Sequence, residues 1–469
     1  MALRRTPPED LQGPRRGLHF VGISGIGMSG LAHLCVSEGL TVSGCDSKLN
    51  TVSRRLRERG VRISVGHSAE HVSGELDLVV YSSAVPADQP ELCAARARGL
   101  PVITRGALLA RLSEHARLIG VAGAHGKTTT SAMAGELLVR AGWDPAVVIG
   151  GMVRTWGSNA RWGRGRFLVA ETDESDGSFL LLHPEVAIIT NIDREHLNYY
   201  REFDALLDAF AQFTSQVPHG GLLIRCADDP WVRDLPSHRR EIQYGLDPSA
   251  DVTLSDLELE GHASRFRASF RGRSLGAFSL QVPGRHNAQN ALSVIALGLA
   301  LELPLTTVRD TLAAFRGTER RFQLSRLPGD IWLIEDYAHH PAEIRATLNA
   351  DPIYGRHRLV VFQPHRFSRT QLLEQEFAGC FDRADGLIVT DIYPAFEAPI
   401  PGVSGARLAE LIKARGHPCV RYVPRQELTG YLKRVAQPGD TVFFLGAGDI
   451  GEVCHAMARG LRLARPAAC

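Results

Sequence analysis

The chain has 469 residues, too many for one hydrophobic core, and its length calls for about three domains. It is 44% apolar and 22% charged, and 53 basic residues face 51 acidic ones, which excludes bulk electrostatic attraction to nucleic acid or an anionic membrane while allowing a polyanionic small molecule at a local site. Eight cysteines stand singly at 35, 45, 93, 226, 380, 419, 454 and 469, without C-x-x-C pairs or metal-ligand spacing, as in a cytoplasmic protein with reduced thiols. The opening "MALRRTPPEDLQGPRR" lacks an apolar h-region, so residues 1–17 are expected to form a flexible tail and not a signal peptide.

From Leu18, short apolar runs alternate with helical stretches: "LHFVGI", a glycine turn, "GLAHLCVSEG", "TVSGCD", "LDLVVYSSAV" and "PVITRG". A second series begins at Arg117 with "RLIGVAG", the helix "TTTSAMAGELLVRAG", then "FLVAET", "VAIITNID" and "GLLIRC". "ALSVIALGLALEL", from Ala291, is too short to span a bilayer and suits a buried helix. After "FRGTERRF" comes a third series, "IWLIEDYA", "RLVVFQP", "GLIVTDIYP" and "TVFFLGAG". Such alternation predicts an α/β protein of mostly parallel sheets, with domains over 18–110, 111–317 and 318–469.

The first series carries Gly25-x-Gly27-x-x-Gly30 between a strand and a helix, with Asp46 ending the next strand, a dinucleotide fingerprint. The same geometry admits any pyrophosphate, because the glycines only bring backbone and a helix N-terminus close to phosphate. In the second series, "AGAHGKTTT" is a shortened phosphate loop: Val121 stands where the longer motif has its first glycine, yet Gly123, Ala124 and Gly126 supply a turn free of bulk. Lys127 then sits at a helix start, where a cation needs a neighbouring anion, and Thr128 can offer a hydroxyl to Mg2+. Two following strands empty Glu171, Asp173, Glu174 and Asp176, then Asn191, Asp193, Glu195 and His196, onto one rim, which suits metal or phosphate chemistry. Asn287 and Asn290 head a helix three residues apart, either as purine-edge contacts or as caps. "EDYAHHPAEI" and "FQPHRFSRT" offer His339, His340, His365, Arg366 and Arg369 for carboxylate or phosphate recognition. The closing "FLGAGDIG" is a phosphate turn or simply a tight one.

In order, "GIGMSGLA", "AGAHGKTTT", "ETDESDGSF", "TNID..H", "PGRHNAQNA", "RRFQ", "DYAHHPAEI", "FQPHRFSRT" and "EAPIPGVSG" resemble the Mur ligases, and within them the branch that joins L-alanine to UDP-N-acetylmuramate. The family's G-T-x-G-K-T/S loop aligns without a gap on Gly123, Ala124, His125, Gly126, Lys127 and Thr128. The resemblance implies an N-terminal Rossmann-like domain for the UDP-sugar, a central P-loop ATPase domain with a mostly parallel sheet, and a Rossmann-like C-terminal domain for the amino acid. It implies ATP and Mg2+ as cofactors, UDP-N-acetylmuramate and L-alanine as substrates, no nucleic-acid or membrane partner, and leaves a homo-oligomer open.

The resemblance also assigns residues. Ser24, Gly25, Ile26, Gly27, Met28, Asp46, Ser82 and Ser83 take the UDP-sugar, and the phosphate loop through Thr129, with Asn287, Asn290 and Arg320, takes ATP. Lys127, Glu171 and His196 are catalytic; Thr128 binds the ATP-associated magnesium, and Glu171 with His196 holds a second magnesium near the acyl phosphate. Tyr337, His339, His365, Arg366 and Arg369 form the amino-acid site. Departures fall at Ser24 and Ala338, where glycine is usual, and at Ala124, Glu195 and Asn198. The nearest sibling is a ligase that recycles the murein tripeptide; a nicotinamide-dependent oxidoreductase or a simple kinase or NTPase would leave several of these motifs unused.

Overall fold

The computed structural model describes residues 17–260, 263–350 and 357–463, so the expected tail, Gly17 apart, lies outside the described residues, as does Cys469. Among them, no helix is long and apolar enough to cross a membrane.

Three sheets follow one another along the chain. The first contains β1 (Gly17–Val21), β2 (Thr41–Asp46), β3 (Arg62–Val65), β4 (Leu78–Tyr81) and β5 (Val102–Thr104), all parallel, in the order β3-β2-β1-β4-β5. Strand order reverses beside β1, and the first glycine turn leaves β1 at this switch point, where parallel sheets open a crevice for ligands.

The second sheet contains β6 (Arg117–Ala122), β7 (Ala146–Val153), β8 (Ser158–Arg161), β9 (Phe167–Glu171), β10 (Val186–Ile189), β11 (Leu222–Cys226), β12 (Arg240–Gly245), β13 (Val252–Glu260), β14 (Ala263–Phe270) and β15 (Arg273–Leu280). Its order is β15-β14-β13-β12-β11-β10-β6-β9-β7-β8. β6 lies between β9 and β10, parallel to both, so the phosphate loop, the acidic loop after β9 and the stretch after β10 all emerge at one edge. The expected series omitted β7, β8 and β12 to β15: "AVVIGGMV" is apolar without alternation, and the later strands are polar on one side.

The third sheet contains β16 (Gln323–Leu327), β17 (Ile331–Asp336), β18 (His357–Phe362), β19 (Gly386–Val389), β20 (Val420–Tyr422) and β21 (Asp440–Leu445), in the order β16-β17-β21-β18-β19-β20, with β16 antiparallel to its neighbour. Successive residues alternate between its faces: Ile334, Val360 and Phe443 belong to one core, Leu333, Val361 and Phe444 to another.

The chain forms two compact units. One takes in the described residues up to Asp256 with 266–279 and 289–316; the other takes in those of 257–265, 280–288 and 317–469. Within the first unit, Leu18, Phe20, Leu31 and Leu34 share a single apolar core with Leu108, Leu112, Leu118, Val148, Leu168 and Leu182. The first two sheets are therefore joined by buried carbon and not by a linker. Ala291 to Leu297 of helix Arg285–Ala300 are all fully buried, as expected of that greasy segment, and the polar side chain among them, Ser293, donates its hydroxyl to the Asn290 carbonyl.

Candidate active site

β6 is buried up to Ala122, and the turn comes only afterwards, which is why Val121 needs no replacement by glycine. Gly123 has φ +127, and a Cβ there would lie 2.2 Å from Thr190 Oγ1; at Gly126, φ +83, it would lie 2.7 Å from Asn290 Oδ1. Asn191 pins the turn from the end of β10: its carbonyl accepts the Ala124 N–H at 2.9 Å and its Oδ1 the His125 N–H at 2.8 Å. His125 Nε2 lies 3.0 Å from Asp193. Helix Lys127–Arg140 starts directly after the turn, with Thr128 and Thr129 buried in its first residues.

Lys127 is largely buried, and the anion it requires is the fully buried Glu174, whose Oε1 is 2.6 Å from Nζ. Its ammonium also donates to the Gly123 and Ala124 carbonyls. Burial alone would lower the lysine, but Glu174, Glu171 and Asp173 outweigh it and hold it charged. Thr128 Oγ1 donates to Glu171 Oε2 at 2.9 Å, and the Gly150 N–H reaches the same oxygen at 2.8 Å. His196, with φ +59, points elsewhere: Nε2 is 3.5 Å from Glu174 Oε1 and 3.8 Å from Glu195 Oε2. The expected Glu171 and His196 thus belong to two neighbouring carboxylate groupings, with Glu174 linking lysine and histidine. The hydroxyl and carboxylate oxygens of Thr128 and Glu171 are hard donors and suit Mg2+.

The first glycine turn is built differently. Asp46 Oδ2 accepts the Ser24 N–H at 2.9 Å, and Ser24 Oγ donates to the Lys48 carbonyl at 3.0 Å, so serine in place of glycine has its own partners. Gly25 caps helix Ile26–Ser37 with φ −61. Gly27 packs on Arg105, and a Cβ at Gly30 would lie 3.1 Å from Asn159 Nδ2 and 3.2 Å from Val148, so that glycine serves the contact of this helix with β7 and β8. Asn159 also donates to the Ile26 carbonyl, and Met28 is buried in the core. Ser82 follows β4, its carbonyl accepting the Val85 N–H at 2.9 Å, and Ser83 beside it is exposed.

In the second unit, Asp336 at the end of β17 accepts the Phe322 and Ala338 N–H groups, each at 2.8 Å; burial pushes its carboxyl up to about 6. Ala338 lies outside the left-handed region, so this departure from glycine carries no backbone strain. His339 Nδ1 is 2.9 Å from the Tyr337 carbonyl, and its ring meets those of Tyr337 and His365 at 5.4 and 5.6 Å. Burial, then His339 and Arg369, lower His365 to about 2, and Arg369 lies 3.2 Å from its Nδ1. Arg366 has φ +71, approaches Glu397 at 3.9 Å, and keeps a buried Nε without a hydrogen-bond partner. Arg320 donates to the Gly446 and Gly448 carbonyls at 2.8 and 3.0 Å and lies over Tyr337, so the last glycine turn anchors an arginine.

Family models cover most of the chain: "Mur ligase family, catalytic domain" matches residues 17–117, "Mur ligase middle domain" 121–298, and "Mur ligase, glutamate ligase domain" 320–448. The UDP-N-acetylmuramate–L-alanine ligase of Sorangium cellulosum is 47% identical over 96% of this chain and 97% of its own. The chain belongs to the Mur ligase family. A second such ligase, from Anaeromyxobacter dehalogenans, is 48% identical over 92% of this chain and 95% of its own. The crystal structure of the UDP-N-acetylmuramate-alanine ligase MurC of Thermotoga maritima superposes with a TM-score of 0.83 at 30% identity, covering 96% of this chain and all of that one. A murein peptide ligase from Psychrobacter arcticus shares the fold at a TM-score of 0.71 and 23% identity, covering 96% of this chain and 100% of its own.

Sequence reasoning placed no Mur ligase role on Glu174, Asn191 or Arg105. Glu174 and Asn191 stood in motifs already singled out, but only the adjacency of β9, β6 and β10 gives them partners. Arg105, 2.6 Å from Asp173, had no local signal. Asn290 lies against Gly126, whereas Asn287 donates to the Pro283 carbonyl at 2.6 Å.

Proposed function

We propose that this Mur ligase is an ATP-dependent amide ligase that joins L-alanine to UDP-N-acetylmuramate in cytoplasmic peptidoglycan precursor synthesis. The observation that carries this reading is chain-long identity of 44–48% with ligases of that name. The lactyl carboxylate oxygen attacks the γ-phosphorus and ADP leaves; the alanine nitrogen then attacks the acyl carbon, phosphate leaves, and the amine gives up a proton. Residues 18–110 serve the UDP-sugar, 111–317 ATP and 318–469 the amino acid.

Lys127 exchanges Glu174 for the transferring phosphoryl group, a charge already desolvated and held where negative charge develops. Thr128 and Glu171 would hold magnesium, with His196 beside the neighbouring Glu174. When bound, Mg2+ neutralises phosphoryl oxygens. Gly123 to Thr129 cradle the phosphates, Asn290 and Asn287 face adenine, and Arg320 serves the phosphates. Ser24 to Met28, Asp46, Ser82 and Ser83 receive the UDP-sugar. Arg366 and Arg369 orient the alanine carboxylate, and Tyr337 closes the site. His365, kept neutral by burial, and His339 flank the amine, and the Tyr337 carbonyl and the Glu343 carboxylate hold His339 at Nδ1.

ADP and phosphate release from ATP and UDP-N-acetylmuramate should require L-alanine. Turnover with the murein tripeptide and not with L-alanine would assign the recycling reaction instead, and turnover without any amine would make the protein an NTPase.

A further inference from the structure

Behind the first glycine turn lies a polar cluster that amide ligation does not use. Cys45 comes from β2, His67 and Ser68 follow β3, His71 ends the short turn Ala69–His71, and Glu91 opens helix Pro90–Ala97. Glu91 is fully buried, and its Oε1 lies 3.2 Å from Cys45 Sγ, 3.3 Å from His67 Nδ1, 2.9 Å from His71 Nδ1 and 2.8 Å from the Ser68 nitrogen. Its Oε2 is buried with no hydrogen-bond partner. One carboxylate oxygen offers about two lone pairs, so crowding four donors on Oε1 while Oε2 has none is a poor arrangement for hydrogen bonding alone.

Sγ, His67 Nδ1 and Oε1 instead form a triangle with sides of 3.2, 3.3 and 3.6 Å. Its centre lies about 2 Å from each corner, close to ordinary zinc–nitrogen, zinc–oxygen and zinc–sulfur bond lengths. We propose that Cys45, His67 and Glu91 bind a divalent transition-metal ion, Zn2+ for preference, in a structural site beneath the UDP-sugar loop. Thiolate and carboxylate neutralise the dication, which removes the cost of burying either charge. Burial beside Glu91 keeps the free thiol protonated; on binding, the metal replaces that proton, which passes to solvent. His71 orients the carboxylate from outside, and the partly exposed His67 leaves a fourth position open to water. The Cys45 carbonyl accepts the Gly22 and Ile23 N–H groups at 2.9 and 3.1 Å, so a metal here would fix the start of the glycine turn.

The full chain, treated with chelator and loaded with Co2+ alone, tests this. The parent should show near-ultraviolet thiolate-to-cobalt charge-transfer absorption saturating at one equivalent, displaced by Zn2+. Cys45→Ser should abolish that absorption and weaken Co2+ binding at this site at least about tenfold. Glu171→Gln should keep it, which separates this site from the magnesium site. Should Cys45→Ser not fold, His67→Gln, at a partly exposed position, should likewise weaken Co2+ at least tenfold. Absence of thiolate absorption in the parent, or unchanged absorption in Cys45→Ser, would overturn the proposal and leave a hydrogen-bonded cluster only.

Discussion

Two glycine turns of the first unit follow the same strand-turn-helix grammar and are built for different occupants. At Gly123 to Lys127 the glycines are forced, because left-handed backbone and close side chains forbid a Cβ, and a largely buried lysine is balanced by a buried glutamate. At Gly25 to Gly30 the nearby cation, Arg105, packs on Gly27 and is paired with Asp173, Asp46 accepts a backbone N–H of the turn, and Gly30 serves helix packing. The second turn is pre-charged, as the proposed transfer of a phosphoryl group requires. The first is a backbone surface that can only bind. A glycine fingerprint followed by an acid therefore does not specify a nicotinamide cofactor; where the acid's oxygens point decides what it can read.

Lys127→Met should sharpen this contrast most. ADP formation should fall at least about 10³-fold, measured by a coupled assay, since a positioned cation is lost where charge develops. The same change strands Glu174 in the interior and should cost about 3–5 kcal/mol in urea unfolding. Adding Glu174→Gln should recover part of that stability and none of the turnover; recovery of neither would mean that the pair is not coupled.

Glycine replacement gives the next largest difference. Gly123→Ala should destabilise by about 3 kcal/mol or more, because the new Cβ meets Thr190 and the Asn191 backbone at φ +127. Gly25→Ala, whose Cβ would have its nearest neighbour at 3.4 Å, should cost under about 1 kcal/mol. Equal melting temperatures for the two variants would erase the distinction. Asp46→Ala removes the acceptor of the Ser24 N–H and should cost about 1–3 kcal/mol while raising KM for UDP-N-acetylmuramate and leaving that for ATP unchanged.

The smallest effect is on acid stability. Burial would raise the Asp173 carboxyl, but Arg105 and Lys127 outweigh it and hold the group down to about 2 against an ordinary 3.8. A depressed carboxylate stabilises fully above its unfolded value, and this contribution disappears as pH falls through about 2. The parent should exceed Asp173→Asn in stability near neutrality, with the gap closing between pH 4 and 2. A gap independent of pH would show that Arg105 and Asp173 are not paired through charge.

Much of this was legible because phosphate chemistry leaves short, ordered motifs. The shortened loop, the acids after β9 and the histidines after β17 and β18 all stand at strand ends, where the alternation of strand and helix had put them, and the asparagine pair stands at the head of helix Arg285–Ala300. Pairing was not legible. Glu174 and Glu171 differ by three residues in one acidic run, and nothing local says that the first takes Lys127 and the second Thr128; the parallel register of β6 and β9 decides it. Nor could spacing join Gly30 to Asn159, since hairpin β7–β8 lacks an alternating pattern and its contact with helix Ile26–Ser37 depends on two sheets sharing a core.

That shared core also governs how the protein is made. Leu108, Leu109 and Leu112 close one side of the first sheet, yet the apolar surface they help form is completed only by residues as far along as Leu182. On the ribosome the first sheet must wait several seconds, at ordinary elongation rates, for its covering to emerge. A chain cut near residue 110 would keep that surface bare. The first sheet is therefore no portable cassette: it matures only in company with the segment that follows it.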